Sequence, residues 1–191
     1  MSISASPPAA KSKVLNYLVW GCIALGLVLL ALKTFWIGYY VIPQNGMDPG
    51  LPAGSKLLTL RHPYSGPASV RRGDIVVFVV EEDGQPMHCI WRVVGLPGET
   101  VVAAGEILNI SGQTVRRQRL REAGGRTLFR EQIGSASYEI AFAPAPDQTA
   151  PDVTVTVPPG HFFVMGDNRF SAHDSRFIGP IPFRSIVGRK L

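Results

Sequence analysis

"VIPQNGMDPGLPAG", residues Val41 to Gly54, stands where the character of the chain changes. Prolines and glycines recur through it, so it reads as a turn-forming segment. An uncharged apolar run precedes it, and short β-branched and aromatic runs follow it almost to Leu191. The stretch therefore separates two parts that must obey different solvents.

Upstream, "VLNYLVWGCIALGLVLLAL", Val14 to Leu32, holds 19 residues without a charge. At ~1.5 Å per residue a helix of that length nearly spans the ~30 Å hydrocarbon layer, which predicts a transmembrane helix. The run is longer than the apolar part of a cleaved signal peptide, and "LKTFWIGYY" offers no small-x-small cleavage site. Trp36, Tyr39 and Tyr40 suit an aromatic interface belt, so residues 14–40 form a helix and interfacial segment. Lys11 and Lys13 flank one end and only Lys33 the other, which places the polar tail, residues 1–13, in the cytoplasm and residues 41–191 outside.

Downstream, "DIVVFVV" (Asp74–Val80), "HCIWRVVGLPG" (His88–Gly98), "VVAAGEILNI", "ASYEIAF", "VTVTVP" and "HFFVMG" each read as a strand bounded by turn residues. No stretch after the anchor carries a capped 3.6-residue stripe. The fold class is mainly β, an N-terminal transmembrane helix followed by a domain of twisted antiparallel sheets, two in number. "APAPDQTAPD" (Ala143–Asp152) is a loop too short to join domains. The 191 residues leave room for one such domain.

Composition narrows the function. A net charge of +5 comes from basic residues that are dispersed except for "VRRQRLR" (Val115–Arg121), which reads as a solvated strand or loop and not a nucleic-acid site. Cys22 sits in the anchor and Cys89 far beyond it, so no internal disulfide is expected. His62, His88, His161 and His173 lack paired ligand spacing, and neither a metal nor any other cofactor is expected.

Several segments together resemble the type I signal peptidase family, membrane-anchored serine proteases that remove signal peptides from exported proteins. A helix leads into "IPQNGMDPGL", where the family has Ile-Pro-Ser-x-Ser-Met-x-Pro-Thr-Leu; "RRGDIVVF" is similar to its Arg-Gly-Asp strand start. "IWRVVGLPGE" (Ile90–Glu99) resembles Ile-Lys-Arg-x-x-Gly-Leu-Pro-Gly-Asp, and "VMGDNRFSAHDSRFIGPIP" resembles Met-Gly-Asp-Asn-Arg ending in Asp-Ser-Arg-x-x-Gly. The resemblance runs from the anchor almost to Leu191 and retains Pro43, Met47, Pro49, Arg92, Gly95, Pro97, Gly98, Gly166, Asp167, Asn168, Arg169, Asp174, Ser175 and Arg176.

The same register removes the chemistry. The nucleophilic serine falls on Gly46, a serine that helps hold the oxyanion on Gln44, the general-base lysine on Trp91, and a serine that orients the lysine on Ala172. A serine hydroxyl attacks only when a base takes its proton, and a buried lysine serves because desolvation leaves it neutral. Glycine has no atom to attack with, and indole no base. Trp91 shares a strand face with Cys89 and Val93, which should look into the cleft, while His88 points to the other face.

Substitutes are weak. His173, Asp174 and Ser175 are consecutive, and neighbours on an extended chain point apart. Ser55 and Lys56 lie several residues from the nucleophile position. Cys89 is the remaining alternative nucleophile, with a buried structural thiol the simpler account. The expected function is a non-catalytic, signal-peptidase-like binding, scaffold or assembly subunit in a bacterial inner membrane, its main domain periplasmic. The expected partners are the lipid bilayer, other membrane proteins and peptide segments in a residual cleft. The alternative is an active membrane-bound signal peptidase with an atypical nucleophile; four altered positions exceed what a deliberate knockout requires.

Overall fold

A computed structural model describes residues 11–82, 84–143 and 150–191. The chain divides after Ile37 into two units. The first is helix α1, Lys11–Trp36. Its segment Lys13–Trp36, with a mean hydropathy of 2.2, is long and apolar enough to cross a membrane. Of the expected flexible tail, residues 1–10 lie outside the described residues, and 11–13 belong to the helix.

The second unit, from Gly38, carries the remaining elements, β1 beginning one residue before it. Its strands are β1 Ile37–Val41, β2 Lys56–Arg61, β3 Ile75–Glu82, β4 Gln85–Gly95, β5 Thr100–Ala104, β6 Ile107–Ile110, β7 Gln113–Thr114, β8 Arg116–Ala123, β9 Arg126–Ile133, β10 Ala136–Phe142, β11 Val153–Thr156, β12 His161–Met165, β13 Ile181–Pro182 and β14 Ile186–Lys190. Residues 37–40, expected as an interfacial segment, thus form most of β1. One short helix, α2 Ser175–Ile178, interrupts them.

Three sheets form where two were expected. Seven strands follow the order β1-β2-β14-β3-β4-β12-β13, three the order β10-β9-β8, and four the order β11-β5-β6-β7. Pairing within them is antiparallel. The third sheet arises because the residues from Arg116 pair with β9 and leave β7 at two residues. "VRRQRLR" lies in that ribbon as a largely exposed strand, and most of the loop at 143–152 lies outside the described residues.

The run in β3 is apolar without alternation because both faces of its sheet are covered. Val76 and Phe78 pack with Val93, Phe162 and Val164 on one side; Ile75 and Val77 pack with Ile42, Met47 and Leu57 on the other. A third cluster, built on Val101, Leu108, Ile140 and Phe163, joins the two smaller sheets to β12. At the end of β4 the chain turns through Leu96-Pro97-Gly98-Glu99, Glu99 N–H donating to Leu96 O at 3.1 Å. Gly98 has φ +83°, the left-handed third position that a proline-led turn of this kind requires. Gly95 is needed for space, since a Cβ there would lie 2.7 Å from Val101 Cγ2 and 2.9 Å from Phe163 Cβ.

Candidate functional site

The turn at Asn45–Met47 is a single 3-10 turn that hangs between two fixed ends. Ile42 N–H donates to Ser55 O at 3.0 Å and Gly54 N–H to Ile42 O at 2.8 Å, which closes the loop onto its own base. Met47, 2% exposed, anchors it in the core beneath β3. Gly46 O accepts from Asn168 N–H at 3.0 Å, so the turn is also tied to the Gly166–Arg169 segment. The space at Gly46 is closed. A Cβ there would lie 2.6 Å from Cη2 and 2.7 Å from Cζ3 of Trp91, and 3.2 Å from Ser171 O. A Cβ at Gly166 would overlap the Cβ of Ala172 and come within 3.1 Å of Trp91 Cζ3.

Three of the four positions that the motif register assigned to chemistry, Gly46, Trp91 and Ala172, thus meet around Gly166. The fourth, Gln44, is exposed, with extended backbone, and lines both the main groove and a polar pocket of about 550 Å³ beside Asp48 and Arg126. The Trp91 Nε1–H is buried without a hydrogen-bond partner. Such a donor costs about 1–3 kcal/mol, so the indole is held by packing and not by polar contacts.

The other motif residues form a buried polar frame behind this point. Arg92 grips Asp167 through two bonds, Nε to Oδ1 at 2.7 Å and Nη2 to Oδ2 at 2.6 Å, and lies 4.2 Å above the Tyr138 ring. Burial opposes its charge, but the Asp167 carboxylate outweighs burial and raises the Arg92 pKa. Arg169 donates to both oxygens of Glu131, with Nη1 to Oε2 at 2.8 Å. Arg117 Nε and Tyr138 Oη donate to the same carboxylate at 2.8 and 2.9 Å. Asp174 caps α2 by accepting from Arg176 N–H at 3.1 Å, holds the Arg176 guanidinium through two bonds of 2.8 Å, and accepts from Gly166 N–H at 2.9 Å. Ser175 Oγ accepts from Val164 N–H at 2.9 Å. Local bonds join Asp174 to Arg176 and also run from Arg169 Nε to Gly166 O at 3.2 Å. Asp167 and Arg169 reach across to other strands, which sequence spacing does not reveal.

Glu131 escaped the sequence reading. It is fully buried in β9, on the same alternating face as Phe129 and Ile133. A carboxylate between two apolar residues of one strand face is the signal that could have found it.

The substitutes for a nucleophile do not assemble. His173 stacks on Phe177 at 4.5 Å while Asp174 and Ser175 are engaged as above. The Ser55 hydroxyl donates to Pro52 O at 2.6 Å. Cys89 is half-buried, and burial, with Glu82 adding to it, raises its thiol pKa and keeps it protonated. Among the described residues no cluster of His, Cys, Asp and Glu could hold a metal ion.

A groove of about 670 Å³ opens from this point. Trp91, Gly46, Met47, Ile42 and Pro43 line it, together with Glu81, Glu82 and Met87 of the β3–β4 hairpin. His88 and Ile90 line it along with Cys89 and Trp91, so the groove follows the edge of β4 and takes residues from both faces, not one as alternation alone suggested.

The family described as signal peptidase, peptidase S26, matches residues 14–191. Signal peptidase I of Pseudomonas aeruginosa is 32% identical over 188 residues, covering 85% of this chain and 66% of that protein. Signal peptidase I T of Bacillus subtilis is 34% identical over 183 residues, covering 94% of this chain and 86% of that protein. A solved signal peptidase I from Enterococcus faecalis is 26% identical, covering 63% of this chain and 96% of that one, with a TM-score of 0.40. The chain thus spans slightly less than two thirds of the Pseudomonas relative's length and most of the Bacillus one's. With a match along its whole length from Val14, the chain belongs to the signal peptidase family, peptidase S26.

Proposed function

We propose that this chain is a non-catalytic member of its family, a membrane-anchored binding and assembly subunit whose outer domain works through its surface. One observation carries the reading: the Trp91 indole occupies the volume that any side chain at residue 46 would need. Acyl transfer by this family's route requires a nucleophilic oxygen and a base within hydrogen-bond reach of it. Here one position has no side chain and the other carries an aromatic ring in contact with it. Ala172 adds no polar atom, and the Cys89 thiol is held protonated.

What is preserved supports the same reading. The Arg92–Asp167, Arg169–Glu131 and Asp174–Arg176 pairs hold the backbone around the altered site, and the groove beside it stays open. The domain presents a concave surface beside the altered site. Helix α1 anchors the protein in the inner membrane of a bacterium, with the lysines before it on the cytoplasmic side and the β-domain in the periplasm. Its partners are other membrane proteins of a complex and extended segments seated in the groove.

The test is incubation of the purified, detergent-solubilised protein with an exported precursor, the relatives named signal peptidase I serving as positive controls. No cleavage above buffer is expected. Processing at the precursor's signal junction would overturn the reading, and its loss in Cys89→Ala would identify a thiol route.

A further inference from the structure

The second concavity, the polar pocket of about 550 Å³, shares only Gln44 with the groove and differs from it in chemistry. Its size falls within the ~300–1,000 Å³ of small-ligand sites. Among the described residues Ala143 is its one apolar side chain, and no aromatic ring lines it. Charge of both signs is present and balanced. Arg126 and Asp48 pair at 2.7 Å and stay partly open, at 24% and 17% exposure, so the wall is polar without net charge.

The pocket also holds an unmet acceptor. Asn168 lines it at 4% exposure, and its Oδ1 is buried without a hydrogen-bond partner. The backbone there is fixed: Asn168 N–H donates to Gly46 O at 3.0 Å, and Asn168 O accepts from Ser171 N–H at 3.1 Å. A buried carbonyl that receives no donor is a net cost to the fold, and native proteins keep few of them. The χ2 torsion of an asparagine is soft, so the amide can turn Oδ1 toward a donor in the pocket with the backbone unchanged. Around it stand groups of both kinds. Asn45 Oδ1 accepts from Ala53 N–H at 3.1 Å, which leaves its Nδ2 to donate; Gln44 is exposed and offers both a donor and an acceptor. Gly124 and Gly125, at φ +59° and +73°, turn the chain from β8 to β9 and present bare backbone to the pocket.

We infer that this pocket binds a neutral saccharide. A sugar ring carries adjacent hydroxyls, each of which donates one bond and accepts others. One hydroxyl gives its hydrogen to Asn168 Oδ1. A vicinal pair spans the ion pair, donating to the Asp48 carboxylate and accepting from the Arg126 guanidinium, and the carboxamides of Gln44 and Asn45 take further hydroxyls. An anion would meet Asp48, a cation would meet Arg126, and a flat aromatic ligand would find no ring to stack on. The site requires nothing of residues 46 and 91, so it stands whether or not the chain cleaves peptides.

The experiment titrates the full chain, in a detergent without a sugar headgroup, with the methyl glycosides of glucose, galactose, mannose and N-acetylglucosamine, and reads saturation-transfer NMR. At least one should bind saturably with a millimolar dissociation constant. The uronic acid and the amino sugar of the same ring should bind about fivefold more weakly, and cyclohexanol should not bind. Asn168→Leu keeps the shape of the side chain and removes the unmet carbonyl, so it should hold or raise the unfolding midpoint while weakening the sugar about tenfold. Asp48→Asn with Arg126→Gln should weaken it by about as much. Equal binding of the neutral and charged sugars, binding that survives either variant, or no saturable binding of any of the glycosides would overturn the inference. A marked fall in the midpoint of Asn168→Leu would also count against it, since the carbonyl would then already have its partner.

Discussion

Gly46 and Trp91 fit each other: Cη2 of the indole lies 2.6 Å from where a Cβ on residue 46 would stand. Real Cβ atoms do not approach ring carbons that closely, so either residue constrains the other. The absence of a side chain at one position and the presence of a large one at the other are a single structural feature.

Gly46→Ser alone should therefore destabilise the domain by about 1–3 kcal/mol, the cost of overpacking a filled site. In a Trp91→Lys background the same substitution should cost less, with a coupling of roughly 0.5–3 kcal/mol in a double-mutant cycle. Denaturant unfolding of the full-length protein in detergent reads both. Additive effects would mean that the indole moves aside freely.

Gly46→Ser with Trp91→Lys and Ala172→Ser should restore labelling by an acylating active-site serine probe, because the frame behind these positions is intact. Each single substitution should stay at the wild-type background. A triple variant that folds and remains unlabelled would show that the turn no longer presents residue 46 to the groove.

Cys89 should alkylate as an unactivated thiol. Burial first, and the Glu82 carboxylate second, raise its pKa, so in a Cys22→Ser background the rate of iodoacetamide labelling against pH should rise only above the ordinary thiol value of about 8.5. Replacing Glu82 with Gln should move the profile downward. Rapid labelling at pH 6 would identify a thiolate and revive the thiol enzyme.

Glu131→Gln should be among the most damaging single changes, costing about 3–5 kcal/mol, since it leaves Arg169 and Arg117 facing a neutral group inside the core. Burial pushes the Glu131 pKa up, but the two guanidiniums and their hydrogen bonds outweigh it and the net shift is downward. A carboxyl with a lowered folded-state pKa stabilises above its ordinary value of about 4.3, and that contribution is lost as pH falls through the lower, folded value. Wild-type stability should accordingly decline below about pH 4, and the Gln variant should lose this part of the acid dependence. Equal slopes of unfolding free energy against pH in the two proteins would contradict it.

The two ends of that network show what a sequence can and cannot tell. Helix α1 was legible because a lipid-spanning helix needs only a long run without charges, and β3 because a strand covered on both faces is apolar throughout. The meeting of Gly46, Trp91 and Ala172 was legible through aligned motifs, since backbone-shaping glycines and prolines transmit the register. The Arg92–Asp167 pair spans 75 positions and Arg169–Glu131 spans 38. Nothing in the residue types states which buried carboxylate a given arginine will find. That the edge of β4 from Gln85 to Trp91 meets no strand on the side away from β3, among the described residues, was equally hidden, because it depends on how soon β12 ends and not on β4 itself.

The last expectation concerns the company the chain keeps. Helix α1 is long and apolar enough to cross a membrane, where helices associate by packing on one another, and a groove beside a strand edge that meets no strand among the described residues is a template for another chain. Both therefore contribute to holding a complex. Mild-detergent extraction should bring down membrane proteins in fixed ratio with the chain. Replacing α1 with an unrelated anchor should weaken that association, and His88→Pro should weaken it too. Proline at residue 88 removes a backbone N–H on the side of β4 away from β3 and adds a ring beside the groove. Circular dichroism of the His88→Pro variant checks that the sheets survive. A lone monomer under the gentlest extraction, or complexes indifferent to both changes, would leave the chain without the assembly role proposed for it.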